Sequence, residues 1–149
     1  MNYKIRNANP EDIDAIIKLC IEHALYEQVI YSPDDKAEKL AEMLFNHYPQ
    51  LHCLLAESEN AIIGYATFSK ECSTWNADFY IHMDCLYLKE QYRGHGIGET
   101  LLNKITEFGK QIHAHHIEWQ TPVFNERAIK FYNRIGASSK EKLRFTLQI

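Results

Sequence analysis

The chain has 149 residues, 46% of them hydrophobic, and sets 16 Lys and Arg against 20 Asp and Glu for a formal charge of −4. That is enough chain for one well-filled core, and the interspersed signs lack the basic footprint that a nucleic-acid backbone demands. No run approaches the ~18 apolar residues of a membrane span, and Met1-Asn2-Tyr3-Lys4-Ile5-Arg6 has no apolar signal core. A cytoplasmic protein without a membrane or nucleic-acid partner is expected. Cys20, Cys53, Cys72 and Cys85 are widely spaced and form no Cys-x-x-Cys pair, which favours reduced thiols.

Residues 3–6 alternate as a short strand and stop at Asn7-Ala8-Asn9-Pro10. Ile13, Ile16, Ile17, Cys20, Ile21 and Ala24 then recur at helical spacing. Ser32-Pro33-Asp34-Asp35 has the form of a helix start, and Ala37, Leu40, Ala41, Leu44 and Phe45 carry the same period until Pro49. Two β-rich runs, 51–57 and 61–69, flank Ser58-Glu59-Asn60, the composition of a hairpin turn. A third run, 79–88, leads into glycines 94, 96 and 98 and then into a helix marked by Leu101, Leu102, Ile105 and Phe108. Residues 116–120 read as a short strand, 125–134 as a helix that Gly136 stops, and 143–149 alternate as a last strand. Without an internal repeat or a linker, the pattern predicts a single domain over 1–149. Its class is α/β (mixed α+β), with a central, mostly antiparallel sheet flanked by helices.

The glycine run carries the chemistry. Glycines alternating just before a helix let successive backbone N–H groups turn toward one anion, and the helix adds its own unpaired N–H groups and positive dipole end. A pyrophosphate fits there, with Arg93 adding a charge-assisted contact. The loop lacks the Gly-Lys-Ser/Thr ending of a nucleotide-hydrolysing loop. It follows antiparallel strands in mid-chain, not the opening βαβ unit of a dinucleotide-binding fold.

Arg93-Gly94-His95-Gly96-Ile97-Gly98 resembles the Arg/Gln-x-x-Gly-x-Gly/Ala signature of the GCN5-related N-acetyltransferase family, and the order of elements is similar throughout. Within that family the chain resembles the diamine and polyamine acetyltransferases. The likeness lies in Tyr65-Ala66-Thr67-Phe68, Ser73-Thr74-Trp75, Leu86-Tyr87, Tyr92-Arg93-Gly94, and Asn125 to Tyr132 followed by Arg134 and Gly136-Ala137. The resemblance implies direct acetyl transfer from acetyl-CoA to the primary amine of a small cationic acceptor, a diamine, polyamine or lysine-like compound. An aminoglycoside, a protein amino terminus, or acyl-CoA sensing without turnover are the alternatives.

The resemblance also implies roles. Gly94, His95, Gly96, Ile97 and Gly98 would hold the cofactor phosphates with Arg93, Asn125 would touch the pantetheine arm, and Leu86 and Leu88 would offer their backbones on a splayed strand. Asp84 stands where the family places a catalytic or substrate-binding carboxylate, and strict alternation would put it on one face with His82 and Leu86. It is the expected base or ammonium anchor, with His82 in reserve. Tyr132, seven residues after Asn125 and on the same helix face, is the expected acid for the departing thiolate. Tyr26, Glu27, Tyr31, Trp75, Asn76 and Asp78 lie in segments that approach the acceptor side. His113, His115 and His116 are crowded but lack separated carboxylate or cysteine partners, so no metal is expected. Relatives of this kind are commonly dimers, and a homodimer is expected.

Overall fold

A computed structural model describes all residues, 1–149. In chain order the elements are β1 (Lys4–Asn7), α1 (Ile13–Tyr26), α2 (Lys36–Phe45), β2 (His52–Ser58), β3 (Ala61–Ser73), β4 (Asp78–Leu88), α3 (Ile97–Gln111), β5 (Ile117–Glu118) and α4 (Glu126–Arg134). The sheet order is β1-β2-β3-β4-β5. The first four strands are antiparallel, and β5 runs parallel to β4. The β2–β3 turn is the tight hairpin that its composition implied, with Glu59 and Asn60 both at positive φ. No helix is long and apolar enough to cross a membrane.

Two apolar cores lie on opposite faces of the sheet. Ile97, Leu101, Leu102 and Ile105 of α3 pack on Ile63, Ala66, Phe68, Ile81 and Met83. Ile16 and Leu19 of α1 and Leu44 of α2 pack on Cys53, Leu55, Tyr65 and Tyr87. The helical periods predicted for residues 13–24, 37–45 and 101–108 supply these faces.

Asp84 interrupts the alternation of β4. Thr67 pairs with Cys85 and Phe68 with Met83, so Asp84 has no partner on β3 and forms a β-bulge. Before it, Ile81 and Met83 face α3; after it, Leu86 and Leu88 do, while Cys85 and Tyr87 turn to the α1 side. The expected common face of His82, Asp84 and Leu86 is therefore corrected: the extra residue shifts the period by one, and Leu86 lies across the sheet from where strict alternation puts it.

The predicted last strand is also corrected. Residues 143–149 form no element, and Leu143, Phe145, Leu147 and Ile149 are exposed. Alternation makes a strand only when a neighbour supplies the other half of the ladder. Here β5 pairs with β4 at two positions, and no further strand lies along it.

Candidate active site

A cavity of about 1100 Å³ opens between β4, the glycine loop, α4 and the end of α1. Its origin is the short β5. That strand pairs with β4 at Ile81 and His82 alone, so the β4 edge beyond His82 has no partner. On the other side, Lys89 N donates to Ile63 O at 2.9 Å, which makes Ile63 and Lys89 a hydrogen-bonded pair of the β3–β4 ladder. Antiparallel pairs alternate, so Tyr65 and Tyr87 form the next such pair, and the N–H and C=O groups of Leu86 and Leu88 point away from β3 into the opening. Leu88 O accepts from Arg93 Nε at 2.7 Å on that side.

The glycine loop forms one end. Gly94 and Gly96 have φ of +87° and +78°, and a Cβ at either would meet no protein atom within 4 Å. The first backbone bond of the helix runs from Thr100 N to Gly96 O, and the amides of residues 94–99 have no backbone acceptor. An open cradle lined by free N–H groups at the start of a 15-residue helix fits an anionic phosphate. Gly94, Gly96, Ile97 and Gly98 line the cavity; the exposed His95 side chain lies outside that lining. Arg127, Lys130 and Arg134 of α4 add cations to the same wall.

Arg93 itself turns inward. Its guanidinium lies 4.3 Å from the centroid of Tyr26 and 5.4 Å from that of Tyr87, a stacked cation between the loop and the end of α1.

Asn125 caps α4: its Oδ1 accepts from Ala128 N at 3.3 Å and from the Tyr26 hydroxyl at 3.0 Å. Tyr132, further along that helix, lines the cavity against Trp119. Burial pushes its hydroxyl up to about 12, helped by the nearby Glu27 and Tyr26, so at neutral pH it carries its proton. Asp84 reaches the cavity from the bulge, mostly exposed, with His82 Nε2 at 3.9 Å from its Oδ1. The structure thus brings Asp84, Tyr132, Asn125, Leu86, Leu88, Arg93 and the glycines around one space.

A model of the Acetyltransferase (GNAT) family matches residues 17–137. The chain belongs to the GNAT acetyltransferase family. It is 30% identical over 141 residues to the thialysine N-epsilon-acetyltransferase of Bos taurus, covering 89% of this chain and 82% of that one. It is 23% identical over 142 residues to the spermidine/spermine N(1)-acetyltransferase-like protein 1 of Homo sapiens, covering 91% of this chain and 20% of that longer one. The solved structure of a probable acetyltransferase superposes with a TM-score of 0.82 at 21% identity, over 98% of this chain and 97% of that one. That last likeness speaks for the fold.

This GNAT protein is an N-acetyltransferase. Of the segments expected near the acceptor, Tyr26 and Glu27 line the cavity. Trp75 is almost fully exposed in the β3–β4 turn. Asp78 pairs with His115 at 2.6 Å at the far end of β4. His23 went unnoticed, because a histidine on an amphipathic helix normally reads as core or surface. Its ring stacks on Tyr87 at 5.0 Å, its Nδ1 lies 3.0 Å from the Tyr65 hydroxyl, and its Nε2 lies 3.3 Å from Glu27. The signal was its i, i+4 spacing to a carboxylate at the helix end.

Proposed function

We propose that this GNAT enzyme transfers an acetyl group from acetyl-CoA to the primary amine of a small cationic acceptor, a diamine, polyamine or lysine-like compound. The observation that carries the reading is the meeting of two kinds of group around one cavity: a cradle of free amides with α4 cations, and the carboxylates of Asp84 and Glu27 with the rings of Tyr26 and Tyr87. The bovine relative's name as a thialysine N-epsilon-acetyltransferase, and the human relative's as a spermidine/spermine N(1)-acetyltransferase-like protein, support the same acceptor class.

Acetyl-CoA, when bound, supplies the activated thioester. The amides of Gly94, His95, Gly96, Ile97 and Gly98 would hold its phosphates, with Arg127, Lys130 and Arg134 nearby. The outward N–H and C=O groups of Leu86 and Leu88 would pair with the pantetheine arm as a neighbouring strand would, and Asn125 closes that side. Arg93 aligns the loop with β4 through its bond to Leu88.

An alkylamine with a pKa of ~10.4 arrives protonated, and freeing its nitrogen at pH 7 costs about 5 kcal/mol. Asp84, carried forward by the bulge, receives that proton directly or through water, and Glu27 holds the cationic body of the acceptor. Tyr132, protonated at neutral pH, donates to the departing thiolate. The exposed row Leu143, Phe145, Leu147 and Ile149 supports the expectation of a homodimer, since such a row gains from a partner.

Incubation with acetyl-CoA and an equimolar mixture of spermidine, putrescine, thialysine, an aminoglycoside and a short peptide, read by mass spectrometry, tests the acceptor class. Acetylation of the first three is expected. Exclusive labelling of the aminoglycoside or the peptide would overturn the reading.

A further inference from the structure

Along the cavity wall runs a part-buried polar chain of which the acetyl-transfer scheme uses only the last member, Glu27. Cys20 Sγ donates to the Tyr65 hydroxyl oxygen at 3.5 Å, that hydroxyl lies 3.0 Å from His23 Nδ1, and His23 Nε2 lies 3.3 Å from Glu27 Oε1. Tyr65 is 1% exposed, and the side chain of His23 12%. Tyr65 is shut off from water, and His23 keeps only a small exposed edge toward the cavity.

The donors and acceptors admit one assignment. A carboxylate only accepts, so the His23 nitrogen facing Glu27 must carry hydrogen. In a neutral imidazole Nδ1 is then an acceptor, and Tyr65 must donate to it. The tyrosine oxygen is left to accept from Cys20. The chain runs Cys20 S–H to Tyr65 O–H to His23 Nδ1, and His23 Nε2–H faces the Glu27 carboxylate at 3.3 Å.

Glu27 thereby gains a fixed donor at the point where α1 ends and the chain enters a left-handed turn at Gln28. That contact is the close pairing that the Glu27 carboxylate makes within the chain. Glu27 also borders the cavity with Tyr132, whose hydroxyl its charge raises.

We propose that His23 is a positioning residue for the acceptor: as a neutral imidazole whose Nε2–H faces Glu27 and whose Nδ1 accepts from Tyr65, it holds the Glu27 carboxylate toward the cavity. This rests on the reading of Glu27 as the acceptor's anchor. Burial holds His23 below its ordinary range; Glu27 and Asp84 pull it up, and Arg93 pushes it down. Tyr65 and Tyr87 also face it, Tyr87 in turn bonded to Glu22, while Cys20 and Cys85 approach through Tyr65. Burial holds the tyrosine hydroxyls and both thiols in their protonated forms at neutral pH. Protonating His23 turns Nδ1 into a donor facing the Tyr65 hydroxyl and places a cation beside the amine subsite. The amine kcat/KM therefore falls as pH drops through the His23 pKa.

The test has two arms. In the first, nitrogen-detected imidazole NMR of the whole protein is expected to find His23 neutral at pH 7 as the Nε2–H tautomer. The Nδ1–H tautomer in the parent protein overturns the proposal. In the second, His23→Phe is expected to raise the spermidine or thialysine KM about tenfold with the acetyl-CoA KM unchanged. His23→Gln, which keeps a donor but does not titrate, is expected to recover most of that loss and to flatten the acid limb. An unchanged amine KM in His23→Phe overturns the proposal and leaves the acceptor reading standing. A parent protein that acetylates no amine yet shows the Nε2–H tautomer removes the acceptor reading and leaves the placement of Glu27 by His23.

Discussion

The Tyr26 hydroxyl donates to Asn125 Oδ1 at 3.0 Å, tying the end of α1 to the cap of the helix that carries Tyr132. One side-chain oxygen therefore serves two elements, since it also accepts from Ala128 N. Asn125→Ala should cost about 1–2 kcal/mol of stability, because it removes both the cap and the cross-tie. Tyr26→Phe keeps the cap and should stay within about 1 kcal/mol of the parent in chemical denaturation. Equal losses in the two variants would mean that the cap contributes nothing.

Tyr132→Phe keeps the ring against Trp119 and removes the proton that the proposed acid supplies. A fall in kcat of about 10²-fold or more is expected, with acetyl-CoA affinity by calorimetry nearly unchanged. A variant as active as the parent would assign the acid elsewhere.

Two glycines separate the roles of fold and cradle. A Cβ at Gly64 would lie 2.3 Å from Leu88 Cδ2 and 2.6 Å from Tyr87 O, so Gly64→Ala must push β3 from β4 and should lower Tm markedly. A Cβ at Gly96 meets no protein atom within 4 Å, so Gly96→Ala strains a left-handed residue by about 1 kcal/mol but fills space in the proposed phosphate cradle. Its acetyl-CoA Kd should rise at least about tenfold while most of the stability remains. An unaltered Kd would move the phosphates off this loop.

Much of this was legible in the chain. Periodicity marked α1, α2, α3 and α4, because each turns one apolar stripe toward the sheet, fully or partly buried, and the glycine loop announced itself through three residues ahead of an apolar helix. The bulge at Asp84 was not legible, since an extra residue exists only relative to the β3 strand that fails to pair with it. The open edge of β4 follows from how far β5 extends, which residues 116–120 overstate. Residues 143–149 carry a strand's alternation without a strand's neighbour. The link from His23 to Tyr65 crosses 42 positions and joins a helix to a strand, so no local pattern reports it.

Acid should weaken the fold through its buried histidines. Burial holds His23, and His52 between Phe68 and Phe108, below the ordinary imidazole value of 6.5. Below about pH 6.5 the unfolded chain binds protons that the folded one refuses, so the stability gained from neutral burial is complete above that pH and is lost as pH falls toward the folded values. Tm at pH 5.5 should lie below Tm at pH 7.5, and His52→Gln should reduce the difference. A Tm independent of pH across that window would contradict the burial of neutral imidazoles.

The most direct measurement is steady-state thiol release from acetyl-CoA with spermidine, putrescine and thialysine, run on the parent, Asp84→Asn and Tyr132→Phe. Saturable release with at least one of these amines, reduced by about 10²-fold or more in kcat in Tyr132→Phe and in kcat/KM for the amine in Asp84→Asn, is the result expected of a cavity that acetylates a small cationic amine. Acetyl-CoA binding without release for any of the three amines would contradict it.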